Sequence, residues 1–391
     1  MNSSERLFTR PLVLLMCAQT VFGLGFSTFL ILPTYMTKAL QASPWEIGLV
    51  TSIFGISSMI FMPLAGDWAD RSHRLRWAMA GAAISGAAAM GFVWVTDVGP
   101  LAYSLRLLHG VGNAFEFVAT GALVTDLVPA RKLGQGYGWF GVTMLSTNAI
   151  APALSEVVAE SWGWAPVFVG AGLAGFLSML LLARVPEPVR EAHHGARATL
   201  FEVFTSRRSL WLMTVISLIG AAFAALFTFV QPYAIELGTD RVSAFFIGYT
   251  IAAVAVRVLL GGLSDRLGRA RVALAMMVLY TVPMAFSANL SLVWLPWIGA
   301  FFGLAHGLLL PCMNALAVEA VAPGERGKAF AVFMAAFNAG FSIGSLALGW
   351  VAELAGYPAV FWTATAGMVC ACLIFVSGHE VRSQLRLATG H

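Results

Sequence analysis

The sequence predicts an all-α membrane protein: twelve transmembrane helices in two six-helix, pseudo-symmetric halves. Composition, apolar run lengths and an internal repeat all lead there. Of the 391 residues 59% are hydrophobic and 11% charged, against roughly 25% charged in soluble domains. Mean hydropathy is +0.81, so lipid is the expected solvent. Apolar runs able to cross a bilayer, about 20 residues each, fall approximately at 11–35, 45–65, 77–95, 99–127, 137–158, 164–184, 210–235, 244–263, 272–289, 292–320, 329–351 and 357–378. Helix is the expected state, because an open strand leaves backbone groups unpaired in lipid.

Each run has its boundary signals. Arg6 and Arg10 precede a first run too long for a signal-peptide core, which reads as a retained span. The longest polar interruption, Arg184 to Ser209, holds Pro186, Pro188, His193, His194, Arg197, Arg207 and Arg208 and reads as a linker. It divides the chain into halves 1–184 and 210–391 around a linker at 185–209. Trp45, Trp94, Trp162, Trp164 and Trp294 mark one set of span ends, and Trp68, Trp77, Trp139 and Trp211 the other. With the N-terminus cytoplasmic, all of the 23 Lys and Arg residues except Lys38, Arg241, Arg106 and Arg257 lie on cytoplasmic segments. Both termini and the linker are therefore expected in the cytoplasm, with the chain a monomer in the cytoplasmic (inner) membrane of a bacterium.

The repeat is GDWADRSHRLR, starting at Gly66, and GGLSDRLGRAR, starting at Gly261, half the chain later. Gly66, Asp70, Arg71, Arg74 and Arg76 fall on Gly261, Asp265, Arg266, Arg269 and Arg271. Each copy sits between the second and third spans of its half, as duplication of a six-helix unit inserted in the same orientation requires. LRLLHGVG at 105–112 followed by TDLVPARKLGQG at 125–136 is echoed by GLAHGLLLP at 303–311 and VEAVAPGERGKA at 318–329.

These segments resemble the signatures of the major facilitator superfamily, its drug:proton antiporter-like branch in particular. GDWADRSHRLR resembles the loop motif G-x-x-x-D-R-x-G-R-[RK] with His73 at the second glycine; GGLSDRLGRAR keeps Gly268. RLLHGVG at 106–112 resembles the fourth-helix motif R-x-x-x-G-x-G. The fifth-helix motif G-P-x-x-G-G keeps only Pro152, with Ala151, Ser155 and Glu156 elsewhere. The resemblance covers the whole chain. It implies secondary transport by alternating access, with the substrate at mid-membrane between the halves. It also implies a gating role for Gly66, Asp70, Arg71, Arg74, Asp126, Gly261, Asp265, Arg266, Arg269 and Glu319, with Arg74–Asp126 and Arg269–Glu319 as charge relays. Physically, a carboxylate at a helix end such as Asp70 or Asp265 can face a helix N-terminus or pair with arginine.

The fourth span carries Arg106, His109, Asn113, Glu116 and Thr120 at spacings that place all five on one helical face. Ionisable groups in a span are expensive and mark cavities or partners. The functional reading makes Arg106 a coupling or substrate-orienting cation and Glu116 a site for a proton or a cationic substrate; the alternative is a structural network between helices. His109 and His306, at comparable repeat positions, read as packing and hydrogen-bonding residues. Glu156 reads as an interfacial carboxylate near an outer helix end, leaving Glu116 the only acid well inside a span. Arg257 reads as an inner-end partner of Asp265 that snorkels. Gln19, Phe22, Phe26 and Phe29 share a face of the first span, and Phe223, Phe227 and Gln231 one of the seventh. With Asn148, Asn314, Phe337 and Asn338 they suggest an aromatic cavity with sparse polar groups, suited to a hydrophobic or amphipathic solute.

Other classes find no support. The net charge of +4 and pI near 9.0 come without a nucleic-acid motif. Cys17, Cys312, Cys370 and Cys372 form no metal spacing and read as small buried residues. GAGLAG at 170–175 has no strand before it, and GxxxxGK[ST] is absent, so neither a dinucleotide cofactor nor ATP drive is expected. No enzyme cluster, metal or cofactor is expected. The partners expected are a small-molecule substrate, protons and the bilayer. The function expected is proton-linked export of a small hydrophobic or amphipathic compound. Import of an organic anion or sugar-like solute, with Arg106 as anchor, is the nearest alternative; a non-transporting receptor or scaffold of the same fold is another, disfavoured by the duplicated gating motif.

Overall fold

The computed structural model describes residues 7–129, 132–186, 207–319 and 326–378, with the side chains of Asp70 and Asp265 outside that set. Most of the expected linker lies outside it as well. Among the described residues, twelve helices are long and apolar enough to span a bilayer: α1 (Arg10–Lys38), α2 (Pro44–Ala69), α3 (Arg74–Trp94), α4 (Pro100–Leu127), α5 (Gln135–Trp162), α6 (Trp164–Leu182), α7 (Ser209–Glu236), α8 (Ser243–Leu260), α9 (Arg269–Ser287), α10 (Leu292–Glu319), α11 (Val332–Ala355) and α12 (Tyr357–Ser377). The expected order and number of spans hold, with ends moved by up to about a turn. The chain forms two compact units, Met1–Ala42 with Ile53–His193, and Ser43–Ser52 with His194–His391.

Two prolines break the first helix of each half. Pro33 has no N–H for the Phe29 carbonyl, so α1 tightens into a 3-10 turn at Phe29–Ile31, where the Leu32 N–H takes that carbonyl instead. Pro232 likewise cannot serve the Thr228 carbonyl, and α7 widens into a π-turn at Ala225–Phe229. The same residue type at the same place gives opposite adjustments.

Close packing in the first unit depends on small residues. A Cβ on Gly112 of α4 would lie 2.6 Å from the Ser85 nitrogen and 2.7 Å from the Gly81 oxygen of α3. Leu12, Leu15 and Phe22 of α1 join Ala78 and Ala82 of α3 and Leu123 and Val124 of α4 in one buried cluster. The Ser178 hydroxyl of α6 donates to the Ala18 carbonyl at 2.9 Å.

In the second unit, Gly299, Gly303 and Gly307 line one face of α10 against Phe245, Tyr249 and Ala253 of α8. Phe223, Phe227, Tyr249, Tyr280, Phe302 and His306 fill the interior, with Phe223 and Phe227 stacked at 4.1 Å. Gly48 and Trp45 belong to this unit too, Trp45 meeting Trp350 edge-on at 5.4 Å. A Cβ on Gly303 would fall on the Tyr249 backbone carbonyl. Gly303→Val should therefore destabilise this unit by about 1–3 kcal/mol or stop it folding. Gly170→Val, placed where nothing lies within 4 Å, should change little. Thermal unfolding of the two purified variants checks the pair; equal stability would contradict the packing described.

The exterior is apolar, as a lipid-facing surface must be, with Leu259, Ile251, Ile343 and Leu373 all exposed. This corrects the reading of the cysteines. Cys312 is buried, but Cys17 and Cys370 are exposed, because in lipid the outside of the bundle is as hospitable to a thiol as the inside.

Candidate functional site

The α4 stripe is wholly internal. Arg106, His109, Asn113, Glu116 and Thr120 are all buried, with Glu116 and Thr120 at 0% exposure. One α-helix periodicity places them, and Gly110, on the flank of the same stripe, lies directly on Ser57 and Phe54 of α2.

Its N-terminal half is a cation held by aromatic rings. The Arg106 Nη1 donates to His109 Nδ1 at 3.1 Å. Arginine has only donors, so that nitrogen must accept and the ring N–H sits at Nε2. The Arg106 Cζ lies 4.7 Å from the Phe54 centroid and 5.6 Å from that of Phe29, within cation–π range. The His109 ring is 4.3 Å from Phe29, 5.5 Å from Phe54 and 6.1 Å from Phe26. His109 thus packs among three phenylalanines and accepts a hydrogen bond from Arg106.

The C-terminal half is a carboxyl without such support. Neither Glu116 oxygen completes a hydrogen bond, and the Thr120 hydroxyl next to it spends its proton on the Glu116 backbone carbonyl at 2.7 Å. Gln19 of α1 is a neighbour of this carboxyl, since Leu15, Ala18 and Phe22 of α1 share one buried cluster with Ala119 and Leu123 of α4. Neither Gln19 atom completes a hydrogen bond of good geometry.

The remaining residues of the first unit divide. Phe22 lies in the buried cluster and Phe29 is buried against Phe92 and Phe168 at 5.1 and 5.9 Å; Phe26 is half-buried between Phe22 and Phe54. Asn148 of α5 accepts from the Ser27 hydroxyl at 2.9 Å, and Ser27 and Thr147 hydroxyls are 2.9 Å apart. This α1–α5 hydroxyl network was missed in the sequence, where serine and threonine carry little signal of their own.

Glu156 requires correction. It is 3% exposed, and α5 runs on past it to Trp162, so it is a buried acid in the last two turns of the helix rather than an exposed one at its end. Among the described residues, Glu116 and Glu156 are the two buried acids of the first unit.

In the second unit, Phe227 packs on Tyr249 at 5.0 Å and Phe302 at 5.8 Å, and Gln231 Nε2 donates to the Phe227 carbonyl at 2.6 Å. Phe337 is 5.6 Å from Phe223. Asn314 Oδ1 is buried without a hydrogen bond, and Asn338 caps the Ser342 hydroxyl through its backbone carbonyl at 2.8 Å. His306 sits 3.4 Å from the Tyr280 hydroxyl, a partner on α9 that sequence reasoning did not find. Arg257 Nε donates to the Gly307 carbonyl at 3.2 Å.

At the loop motifs, both units join the start of their third helix to the end of their fourth. Arg74 Nη1 reaches both Asp126 oxygens at 2.8 and 2.9 Å and the Ala122 carbonyl at 3.0 Å. Arg269 pairs with Glu319 in the same way. Arg71 pairs with Asp67 at 2.9 Å on the surface, and Arg266 is exposed. Gly66 and Gly261 occupy the ends of α2 and α8. The two turns differ: Gly268 has φ +91, whereas His73 has φ −87. A histidine would be strained in the left-handed region, so the first copy accepts it only by turning with extended backbone.

The Major Facilitator Superfamily model matches residues 15–261 and 240–386, the whole twelve-helix span. The chain belongs to the major facilitator superfamily. Among the relatives of this transporter, the multi-drug resistance efflux pump PmrA of Streptococcus pneumoniae is 26% identical over 346 residues, covering 85% of this chain and 86% of its own. The MFS-type transporter YhhS of Escherichia coli is 23% identical over 352 residues, covering 88% and 86%. Among solved structures, the nucleoside transporter NupG superposes with a TM-score of 0.74 at 16% identity, covering 94% of this transporter and 99% of that chain. The human organic anion transporter MFSD10 gives 0.71 at 16%, covering 96% and 100%. These structures share the fold.

Proposed function

We propose that this transporter exchanges protons for a small hydrophobic or amphipathic compound, exporting it by alternating access, with Glu116 as the proton-binding group. The observation that carries the reading is Glu116 itself: a fully buried carboxyl with no hydrogen bond to either oxygen. A fixed structural acid in a membrane core would be paired. One that must load and unload a proton is better left without a strong partner. Arg106, propped by His109 and Phe54, then supplies a fixed positive charge on the same face, and Asn113 and Thr120 line it between and beside the two.

The substrate class rests on Gln19, Phe22, Phe26, Phe29 and Asn148 in the first unit and Phe227, Gln231, Asn314, Phe337 and Asn338 in the second, ring-rich with few polar groups. The similarity to an efflux pump supports the direction. The loop residues Gly66, Asp70, Arg71, Arg74 and Asp126, with Gly261, Asp265, Arg266, Arg269 and Glu319, serve as the gate. The transporter acts as a monomer in a bacterial inner membrane.

Proteoliposomes with an imposed pH gradient, screened against lipophilic cations, neutral amphiphiles, nucleosides and organic anions, test the assignment. Gradient-dependent transport of the first two groups is expected. Transport confined to organic anions, with Arg106 as their anchor, would replace it with the import reading.

Both termini and the linker are proposed to be cytoplasmic. Single cysteines at Ser206 and Thr239 in a cysteine-free background should label from opposite sides of the membrane. Labelling of both by an impermeant reagent added outside would reverse this.

A further inference from the structure

Glu116 has a neighbour of unusual kind. Gln19 on α1 and Glu116 on α4 are each 0% exposed. Four side-chain atoms, Oε1 and Nε2 of the glutamine and both oxygens of the glutamate, are buried without a completed hydrogen bond. Buried polar groups in native proteins are nearly always satisfied, and exceptions call for a reason. Leaving two such side chains together in the interior of a membrane bundle is costly unless each has use for the other.

The amide is suited to one use. A carboxyl that binds and releases a proton changes from pure acceptor to donor. A partner that only donates, such as lysine, would hold the carboxylate and oppose protonation. A partner that only accepts would do the reverse. Glutamine carries an oxygen and an N–H₂ on one neutral plane, and turning about its last torsion exchanges them, a torsion that is broad and roughly two-fold.

The surroundings leave this role to Gln19. The Thr120 hydroxyl is engaged with the Glu116 backbone. On α3, Gly81 lies against the Glu116 backbone nitrogen, and Arg74 is bound to Asp126. On α4 itself, Arg106 and His109 are seven or more residues away, about 10 Å or more along the axis. Of the other charged groups described on the helices of this unit, Arg10 and Lys38 stand at the two ends of α1, Arg71 is bound to Asp67 at the end of α2, Arg76 stands at the start of α3, and Glu156 and Glu160 lie towards the far end of α5. Leu15, Ala18 and Phe22 of α1 share one buried cluster with Ala119 and Leu123 of α4, which sets Gln19 within reach of the Glu116 carboxyl.

We infer that Gln19 is the positioning residue of the proton site: its amide turns N–H towards an ionised Glu116 and oxygen towards a protonated one, so neither state leaves the carboxyl alone. The proton arrives from water and leaves to water through Glu116; the amide neither gains nor loses one. This rests on the reading of Glu116 as the proton-binding group.

Infrared difference spectroscopy on the full-length protein in lipid nanodiscs, stepping pH, tests it. The carboxylic-acid C=O band of Glu116 is assigned by its loss in Glu116→Gln. In Gln19→Leu that band should move to higher frequency, having lost its hydrogen bond to the amide, and the initial rate of transport driven by a pH gradient should fall about tenfold or more, the worth of one hydrogen bond to a charged group. Gln19→Asn, shorter by one methylene but still an amide, should recover part of both, and it keeps the test open if the leucine variant does not fold. An unmoved band and a wild-type rate in Gln19→Leu, or an unmoved band in Gln19→Asn with Gln19→Leu unfolded, would make Gln19 a packing residue and leave Glu116 standing. Absence of any band lost in Glu116→Gln across the pH range would overturn the proton-site reading and this inference with it.

Discussion

Glu116→Gln should remove the response to a pH gradient while leaving exchange of substrate down its own gradient. An exporter that swaps one proton for one neutral molecule can sustain about a tenfold concentration ratio per pH unit, since each tenfold step is about 1.4 kcal/mol. In the variant the ratio should fall to one. The amide keeps the shape of the acid and the packing against Gly81, so loss of fold is not expected, and an elution profile matching wild type would confirm that. Glu116→Asp should keep part of the coupling, because the carboxyl remains but sits one methylene further from Gln19. Uphill accumulation at the wild-type rate in Glu116→Gln would make Glu116 structural and direct attention to Glu156, the other buried acid described in the first unit.

Arg106→Ala should cost transport about 10–100-fold, the range for losing a hydrogen bond to a charged group in a dry site. Its guanidinium touches His109 and lies over Phe54, and both contacts disappear together. Arg106→Lys tests which matters. Lysine restores the charge but not the planar fork or its stacking on a ring. A loss close to that of alanine would assign the effect to geometry; near-complete rescue would assign it to charge alone. Glu116 is about 15 Å along the helix from Arg106, too far for a direct ion pair. The two substitutions should therefore separate, with Arg106→Lys lowering rate while preserving whatever accumulation ratio the gradient supports. Wild-type transport in Arg106→Ala would reduce the stripe's N-terminal half to packing.

Much of this was legible in the sequence because membrane physics leaves few options. A run of about 20 apolar residues has one stable conformation in lipid, and the Gly66 and Gly261 copies located the two halves on their own. The α4 stripe was legible for the same reason: a 3,4 spacing of polar residues is a geometric statement about one helix. What escaped needed knowledge of a second helix. Nothing local in Gln19 points to Glu116, since the two meet only after α1 and α4 pack. Tyr280 gives no sign of His306. Glu156 was misplaced because the polar residues after it looked like a helix end, whereas α5 continues through them to Trp162. The cysteines were misjudged by a rule for soluble proteins, where apolar means inside. His73 and Gly268 show the limit of motif matching, as one aligned position is built with two different turns.

The coupling claim is tested most directly by watching protons while substrate moves. Wild-type protein is reconstituted with a pH-sensitive dye trapped inside, no gradient is imposed, and the compound best transported in the panel is added outside. Exchange predicts that substrate entering drives protons out, so the lumen turns alkaline; with equal potassium on both sides and valinomycin carrying the compensating charge, a tenfold inward substrate gradient should approach a difference of about one pH unit for one-for-one exchange of a neutral compound. The same addition to Glu116→Gln should leave the lumen unchanged while substrate still enters. Acidification of the wild-type lumen would mean that substrate and proton travel together, and no change despite substrate entry would mean that protons are not the coupling ion; either result contradicts the account.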